Sequence, residues 1–332
     1  MKINYHRISG KIGMSDSETG DRGAWLEKRR GLWGFLKAAG HEVNCCSLPT
    51  KPSVGLWNPP HISEKSQGDL FSEASEPIPK SDVLMLEFGG SNGLFFGKDL
   101  GRTRILIENH KGLIVFICDD PDLFFPWKDY PNEDWSRWSA WLNAVNPTAE
   151  EMRLPKGCRA FDFPFSALLP YREPLSLGYS RNFVYSGRPN GRKAQINSFR
   201  FASGGLVDIY GRQEEWLEYG VAVSGGSPKQ SERHSFYQSK LACLAISDTK
   251  HKRLRWRTGR AFHALHSGCP VVCEEGAAGI PFADKVADYD SLNKMRELLI
   301  CQDARTHAIN TQREAEHADL EIANATLETL NK

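Results

Sequence analysis

Short apolar runs alternate with amphipathic helix-forming stretches along this chain, and they do so twice. The first series is KINYH, RGAWLEKRRGLWGFLKAAG, HEVNCCSL, DVLMLEF and GLIVFIC. The pattern restarts near residue 180 with NFVYSG, GLVDIYG, LACLAISD and CPVVCEE, again separated by helix-like segments. Strands joined through helices pair in parallel, because a parallel crossover needs a dozen or more residues. The expectation is an α/β protein of two Rossmann-like domains. A length of 332 residues, about twice that of a common single domain, agrees. Boundaries are placed at 1–170 and 171–305, with a polar helical segment, 306–332, returning to the first domain.

Several stretches carry their own expectations. Trp25, Leu32, Phe35 and Leu36 recur at helical spacing, and Gly40 ends that helix before a strand near His41. Residues 50–80, rich in Pro, Ser, Glu and Gly, read as an irregular insertion. In WKDYPNEDWSRWSAWL, residues 127–142, Trp135, Trp138 and Trp141 fall three apart, which predicts a tryptophan-rich helix. Such a helix packs at an edge or offers a surface for stacking bases. The eight cysteines include no CxxC pair and several sit in apolar runs, so reduced core thiols are expected. With 42 Lys plus Arg against 41 Asp plus Glu, the net charge of +1 excludes a protein that coats nucleic acid by bulk electrostatics. The N-terminal MKINYHRISG lacks the apolar core of a signal peptide, and no long uncharged apolar stretch follows. A cytoplasmic, monomeric protein without a membrane anchor is expected.

Open α/β sheets bind ligands at the carboxyl ends of their strands, which directs attention to four places in the second domain. FVYS is followed by Gly187-Arg188-Pro189-Asn190-Gly191-Arg192, two glycines and two arginines at a helix start. Glycine lets the backbone approach an anion, and helix N–H groups with arginine forks complete a phosphate site. VDIY is followed by Gly211, and LACLAIS by Asp248. After Asp248 comes a basic run in which Thr249 to Arg260 contains six Lys or Arg. There Thr258, Ala261, Phe262 and Leu265 form a core stripe that leaves Arg257 and Arg260 on another face, with Arg260 toward the crevice. The chain has neither a Walker Lys-Ser/Thr motif nor GxGxxG.

These residues resemble the nucleotide-sugar half of the GT-B glycosyltransferases, and most closely the phage DNA β-glucosyltransferases acting on 5-hydroxymethylcytosine. The matching motifs are Tyr185-Ser186-Gly187-Arg188 with Arg192, Ile209-Tyr210-Gly211, Ile246-Ser247-Asp248, Arg260 with its helix, and Val271 to Glu275. Ser91 to Gly97 and Val115 to Asp119 extend the match into the first domain. The resemblance implies a GT-B fold with a UDP-sugar donor, UDP-glucose foremost; a divalent metal is possible but not required by the sequence. It assigns Gly187, Arg188, Arg192, Gly211, Asp248 and Arg260 to the donor, with Arg188 and Arg192 on the diphosphate. The family places a glutamate three residues after the helix arginine to hold the ribose; here that position is His263.

By the same resemblance Asp119 is the catalytic base. Asp120 and Asp122 stand beside it as alternatives. The implied acceptor is the hydroxymethyl group of 5-hydroxymethylcytosine or 5-hydroxymethyluracil in double-stranded phage DNA, a modification that protects DNA from host restriction. Reaching it calls for base flipping. Arg22, Lys28, Arg29 and Arg30, with a basic loop carrying Lys250, Lys252, Arg253 and Arg255, are the candidate contacts to DNA phosphates. A polysaccharide or small-molecule acceptor on the same fold is the alternative.

Overall fold

The computed structural model describes residues 1–8, 32–45, 80–88, 107–118, 133–174, 178–201, 205–229 and 232–331. They fall into two compact units. Described residues up to Phe163, together with those from Ala323 onward, form the first, and those from Pro164 to Ile322 the second.

The first unit is built on a six-stranded parallel sheet. Its strands are β1 (Lys2–Ile8), β2 (Glu42–Cys45), β3 (Val83–Phe88), β4 (Leu113–Cys118), β5 (Trp138–Leu142) and β6 (Arg159–Asp162), in the order β2-β1-β3-β4-β5-β6. A helix over 32–38 presents Leu32 and Leu36 to the core, and Gly40, at φ +82°, turns the chain into β2. Trp25 lies outside the described residues.

The tryptophan-rich stretch is not a helix. A single 3-10 turn, Trp135–Arg137, leads into β5, all five residues of which are buried. A strand covered on both faces shows no alternation, and the spacing of its tryptophans imitated a helical period. Trp138 and Trp141 are fully buried, and Trp141 stacks on Phe163 with ring centroids 4.5 Å apart, so neither offers a face to a base.

The second unit holds β7 (Phe183–Ser186), β8 (Val207–Tyr210), β9 (Ala242–Ala245), β10 (Val271–Glu274) and β11 (Asp284–Val286), all parallel, in the order β11-β10-β9-β7-β8. Counted from its own first strand this is the 2-1-3-4-5 order seen in the first unit. The order reverses between β7 and β9, and the chain leaves a crevice at such a switch point. Here the two strands pair only at Phe183 with Ala242 and Val184 with Cys243, while β7 pairs β8 along its whole length. Their carboxyl halves part.

The helix Gln302–Glu328 closes the chain. Arg305, Ile309, Gln312, Glu316 and Asp319 recur at helical spacing, and each is at most 4 % exposed. The docking face is therefore mainly polar. Arg305 donates to the carbonyls of Leu241, Lys240 and Gly268. Gln312 accepts from the Val271 N–H at 2.8 Å and donates to the Val271 carbonyl and to Asp284. Glu316 bonds His266 at 2.7 Å and Tyr171 at 2.6 Å, and Asp319 takes a two-pronged bond from Arg257. Residues from Ala323 onward group with the first unit, where the Thr326 hydroxyl donates to the Asp162 carbonyl.

Free thiols are found at Cys118, Cys158, Cys243, Cys269 and Cys273, all buried, and at exposed Cys301. Burial pushes the Cys158 and Cys269 thiols up to about 12, so both stay protonated as core groups. Among the described residues no helix is long and apolar enough to cross a membrane.

Gln312→Ala should destabilise the second unit by at least about 2 kcal/mol, since it strands a buried N–H and a buried carbonyl of Val271. Urea denaturation followed by tryptophan fluorescence measures it; a change under 0.5 kcal/mol would show that the polar face does not anchor this helix.

Candidate functional site

Each strand of the second unit hands its chain to the carboxyl edge, and the motifs gather there around the switch point. The loop after β7 opens with Gly187, at φ +150°, which bonds through its N–H to the Tyr210 carbonyl. A Cβ on Gly187 would run into the Arg260 guanidinium, so the absent side chain makes room for that cation. Gly211, after β8, is wedged the same way: its Cβ would meet the Gly187 carbonyl oxygen at 2.6 Å and the Trp216 ring. Trp216 is fully buried and its Nε1 donates to the Gly187 carbonyl at 2.9 Å, which pins the turn.

Arg260 lies in the first turn of the helix Gly259–His266. Its Cζ sits 4.6 Å above the centre of the Tyr185 ring, a cation–π contact, and its Nη1 is buried without a hydrogen-bond partner. An unmade donor on a buried guanidinium is costly, and it leaves this nitrogen open to an acceptor. The core stripe is as read: Thr258, Ala261, Phe262 and Leu265 are all buried. Arg257 does not share a face with Arg260, however. It lies before the helix, 1 % exposed, in the pair with Asp319.

Arg192 is buried and directed at the protein. Its Nε donates to the Ile246 carbonyl at 3.1 Å and its Nη1 to the carbonyls of Asn190 at 2.8 Å and Arg188 at 3.2 Å, while Nη2 lies 3.7 Å from Asp248. Those bonds span the gap where β7 and β9 part. Arg188 is more than half exposed and shares the Glu215 carboxylate with Arg212, at 3.7 and 3.5 Å, so both forks stand at the rim.

Asp248 caps the helix Thr249–Arg253, accepting from the His251 N–H at 2.8 Å. Burial works to raise its pKa, but the bonds from His251 and the Arg192 charge outweigh it and hold the carboxyl well below its usual range. The segment expected as a basic loop is thus a capped helix, and its charges diverge. Lys252 bonds Glu274 at 2.6 Å, and the other oxygen of that buried glutamate accepts the Ser247 N–H at 2.8 Å, clamping β10 to the end of β9. Arg253 is exposed, Lys250 partly so, and Arg255 takes a positive φ of +49° in the turn that follows. His263 is 2 % exposed, one turn after Arg260 on the same helix.

Asp119, Asp120, Asp122, Arg22, Lys28, Arg29, Arg30 and the run Ser91 to Gly97 lie outside the described residues. Asp119 directly follows Cys118, the last residue of β4. Sequence reasoning gave no role to Tyr185, Trp216 or Glu274; Tyr185 and Glu274 stood within matched motifs, and Trp216 carried no signal. Among the described residues no group of three or more His, Cys, Asp or Glu side chains gathers as metal ligands.

The Asp248 depression makes a pH-dependent contribution. A carboxyl with a lowered folded-state pKa adds stability that is complete above its ordinary value of 3.8 and is lost as pH falls further. The stability difference between the protein and Asp248→Asn should therefore be constant at higher pH and shrink below 3.8. A difference independent of pH in urea denaturation would contradict the assignment.

No family model matches the chain, and no curated protein matches its sequence. Solved structures do match. The T4 phage β-glucosyltransferase in complex with UDP-glucose superposes with a TM-score of 0.70 at 14 % identity, covering 100 % of both chains. An α-glucosyltransferase in complex with UDP and a DNA 13-mer containing a hydroxymethyluracil base gives 0.61 at 12 % identity, again over 100 % of both. Anabaena HepE in complex with UDP and glucose gives 0.51 at 14 % identity, over 100 % of this chain and 99 % of that one. Two parallel sheets of the same strand order, matched over their full length to these enzymes, make the fold of this chain GT-B.

Proposed function

We propose that the protein is a UDP-sugar-dependent glycosyltransferase that moves a sugar, glucose foremost, to the hydroxymethyl oxygen of a modified pyrimidine in DNA. The buried, unmade Nη1 donor of Arg260 beside Gly187 carries the reading, because a diphosphate at the carboxyl edge would supply the acceptor it lacks. Arg188, at the rim, would close on the same anion. Arg192 and Asp248 would then shape the pocket from behind, rather than grip the phosphates. The fold likeness to glucosyltransferases whose structures hold UDP-glucose, or UDP with DNA, supports this donor and this acceptor.

In the reaction, a carboxylate takes the proton of the acceptor hydroxyl as its oxygen attacks the anomeric carbon. The bond from that carbon to the diphosphate breaks and UDP leaves with the electron pair. Asp119, placed by sequence at the end of β4, is the proposed base, and arginines at the departing phosphates stabilise the charge that develops there. Lys250, Arg253 and Arg255 are the candidates among the described residues for DNA phosphates, with Arg29 and Arg30 proposed from sequence alone. Lys252 serves Glu274 instead. An acceptor other than DNA, a polysaccharide or small molecule, is the second reading, and the net charge of +1 suits it.

Radiolabelled UDP-glucose offered with DNA containing 5-hydroxymethylcytosine, DNA containing 5-hydroxymethyluracil, unmodified DNA and an oligosaccharide panel decides the acceptor. Label in hydroxymethylated DNA alone is the expected result, and label confined to oligosaccharide would overturn it. Arg260→Ala should lower kcat/KM about a hundredfold or more, and Asp119→Asn should lower kcat with little change in UDP affinity.

A further inference from the structure

Tyr185, in the strand β7, is fully buried, and its ring lies against the Arg260 guanidinium with Cζ 4.6 Å from the ring centre. The ring is itself held in place. Its hydroxyl donates to the Arg188 carbonyl at 3.0 Å, the oxygen that also accepts from Arg192 Nη1 at 3.2 Å. Trp216 meets it edge to face with ring centroids 5.6 Å apart, and Phe201 lies tilted at 5.7 Å. Because Trp216 also bonds the Gly187 carbonyl, the ring and the loop after β7 are tied together.

A guanidinium packed among buried groups needs an electrostatic partner. A carboxylate would serve, but it would occupy N–H donors and cancel the charge, as Asp319 does for Arg257. The face of an aromatic ring attracts the cation and takes up none of its in-plane donors. Arg260 thus keeps its charge and its open Nη1 while its position is fixed. A rotamer-rich side chain that is fixed before a ligand arrives loses less freedom on binding, and the affinity gains by the difference.

We propose that Tyr185 is a positioning residue of the donor site, whose ring face sets Arg260 in advance for the diphosphate. This rests on the UDP-sugar reading. The contrast with Arg257 carries it: of two arginines three apart in the chain, one is paired with a carboxylate and closed, and the other is held by a ring and left open.

Calorimetric titration of the full chain with UDP and uridine tests the role, comparing Tyr185→Phe with a protein carrying pentafluorophenylalanine at position 185. Both lack the hydroxyl and have nearly the same shape, but fluorination removes the negative charge from the ring face. The fluorinated protein should bind UDP about fivefold more weakly than Tyr185→Phe and bind uridine equally well. Equal UDP affinity in the two proteins, or the same loss for uridine, overturns the inference while the UDP-sugar reading stands. Failure of wild type to bind UDP overturns that reading itself, and the role of Tyr185 with it. Should the pentafluoro protein not fold, para-fluorophenylalanine decides by direction: weaker UDP binding with uridine unchanged supports the inference, and equal affinity ends it.

Discussion

A buried guanidinium holds the second unit together at its weakest point. Where the strand order reverses, β7 and β9 stop pairing after two residues, and the carbonyls at their ends would face an opening crevice. Arg192 answers them from within, with one nitrogen on Ile246 at the end of β9 and another on the loop after β7. Burying such a charge is favourable only with dense hydrogen bonding, and the three carbonyls and the nearby Asp248 carboxylate supply it. The loop with Gly187 and the cap formed by Asp248 are fixed by the same side chain. Arg260 can then lie against Gly187 and over Tyr185 with a donor to spare.

Other polar ties repeat this logic. Glu274 joins the ends of β9 and β10 through Ser247 and Lys252. At the opposite edge the last helix satisfies backbone groups where the chain enters β9 and β10, through Arg305 and Gln312. At either edge of the sheet, strand ends leave backbone groups that regular pairing does not reach, and side chains satisfy them. In this unit charged and amide side chains at the strand ends do what apolar packing does in the middle of the sheet.

That division explains what was legible in the sequence. Strand runs such as LACLAIS and VVCEE, the core stripe through Phe262 and Leu265 and the glycines at close approaches follow from periodicity and sterics, and they stand where expected. The polar docking face of Gln302–Glu328 has no hydrophobic period to betray it, although Arg305, Gln312, Glu316 and Asp319 hold helical spacing. β5 was read as a helix because full burial removed its alternation. Arg257 was misjudged as sharing a face with Arg260: a guanidinium looks the same in a sequence whether it meets Asp319, as Arg257 does, or waits open, as Arg260 does. Only the tertiary partner separates them.

The central claim is that the carboxyl edge of the second unit is a diphosphate site closed by Arg260. A crystal structure of the protein with UDP bound tests it most directly. The account predicts the phosphate oxygens within hydrogen-bond distance of Arg260 Nη1, next to Gly187, with Arg192 still on the Ile246 carbonyl. UDP bound elsewhere, or at this edge with its phosphates turned away from Arg260, would contradict it.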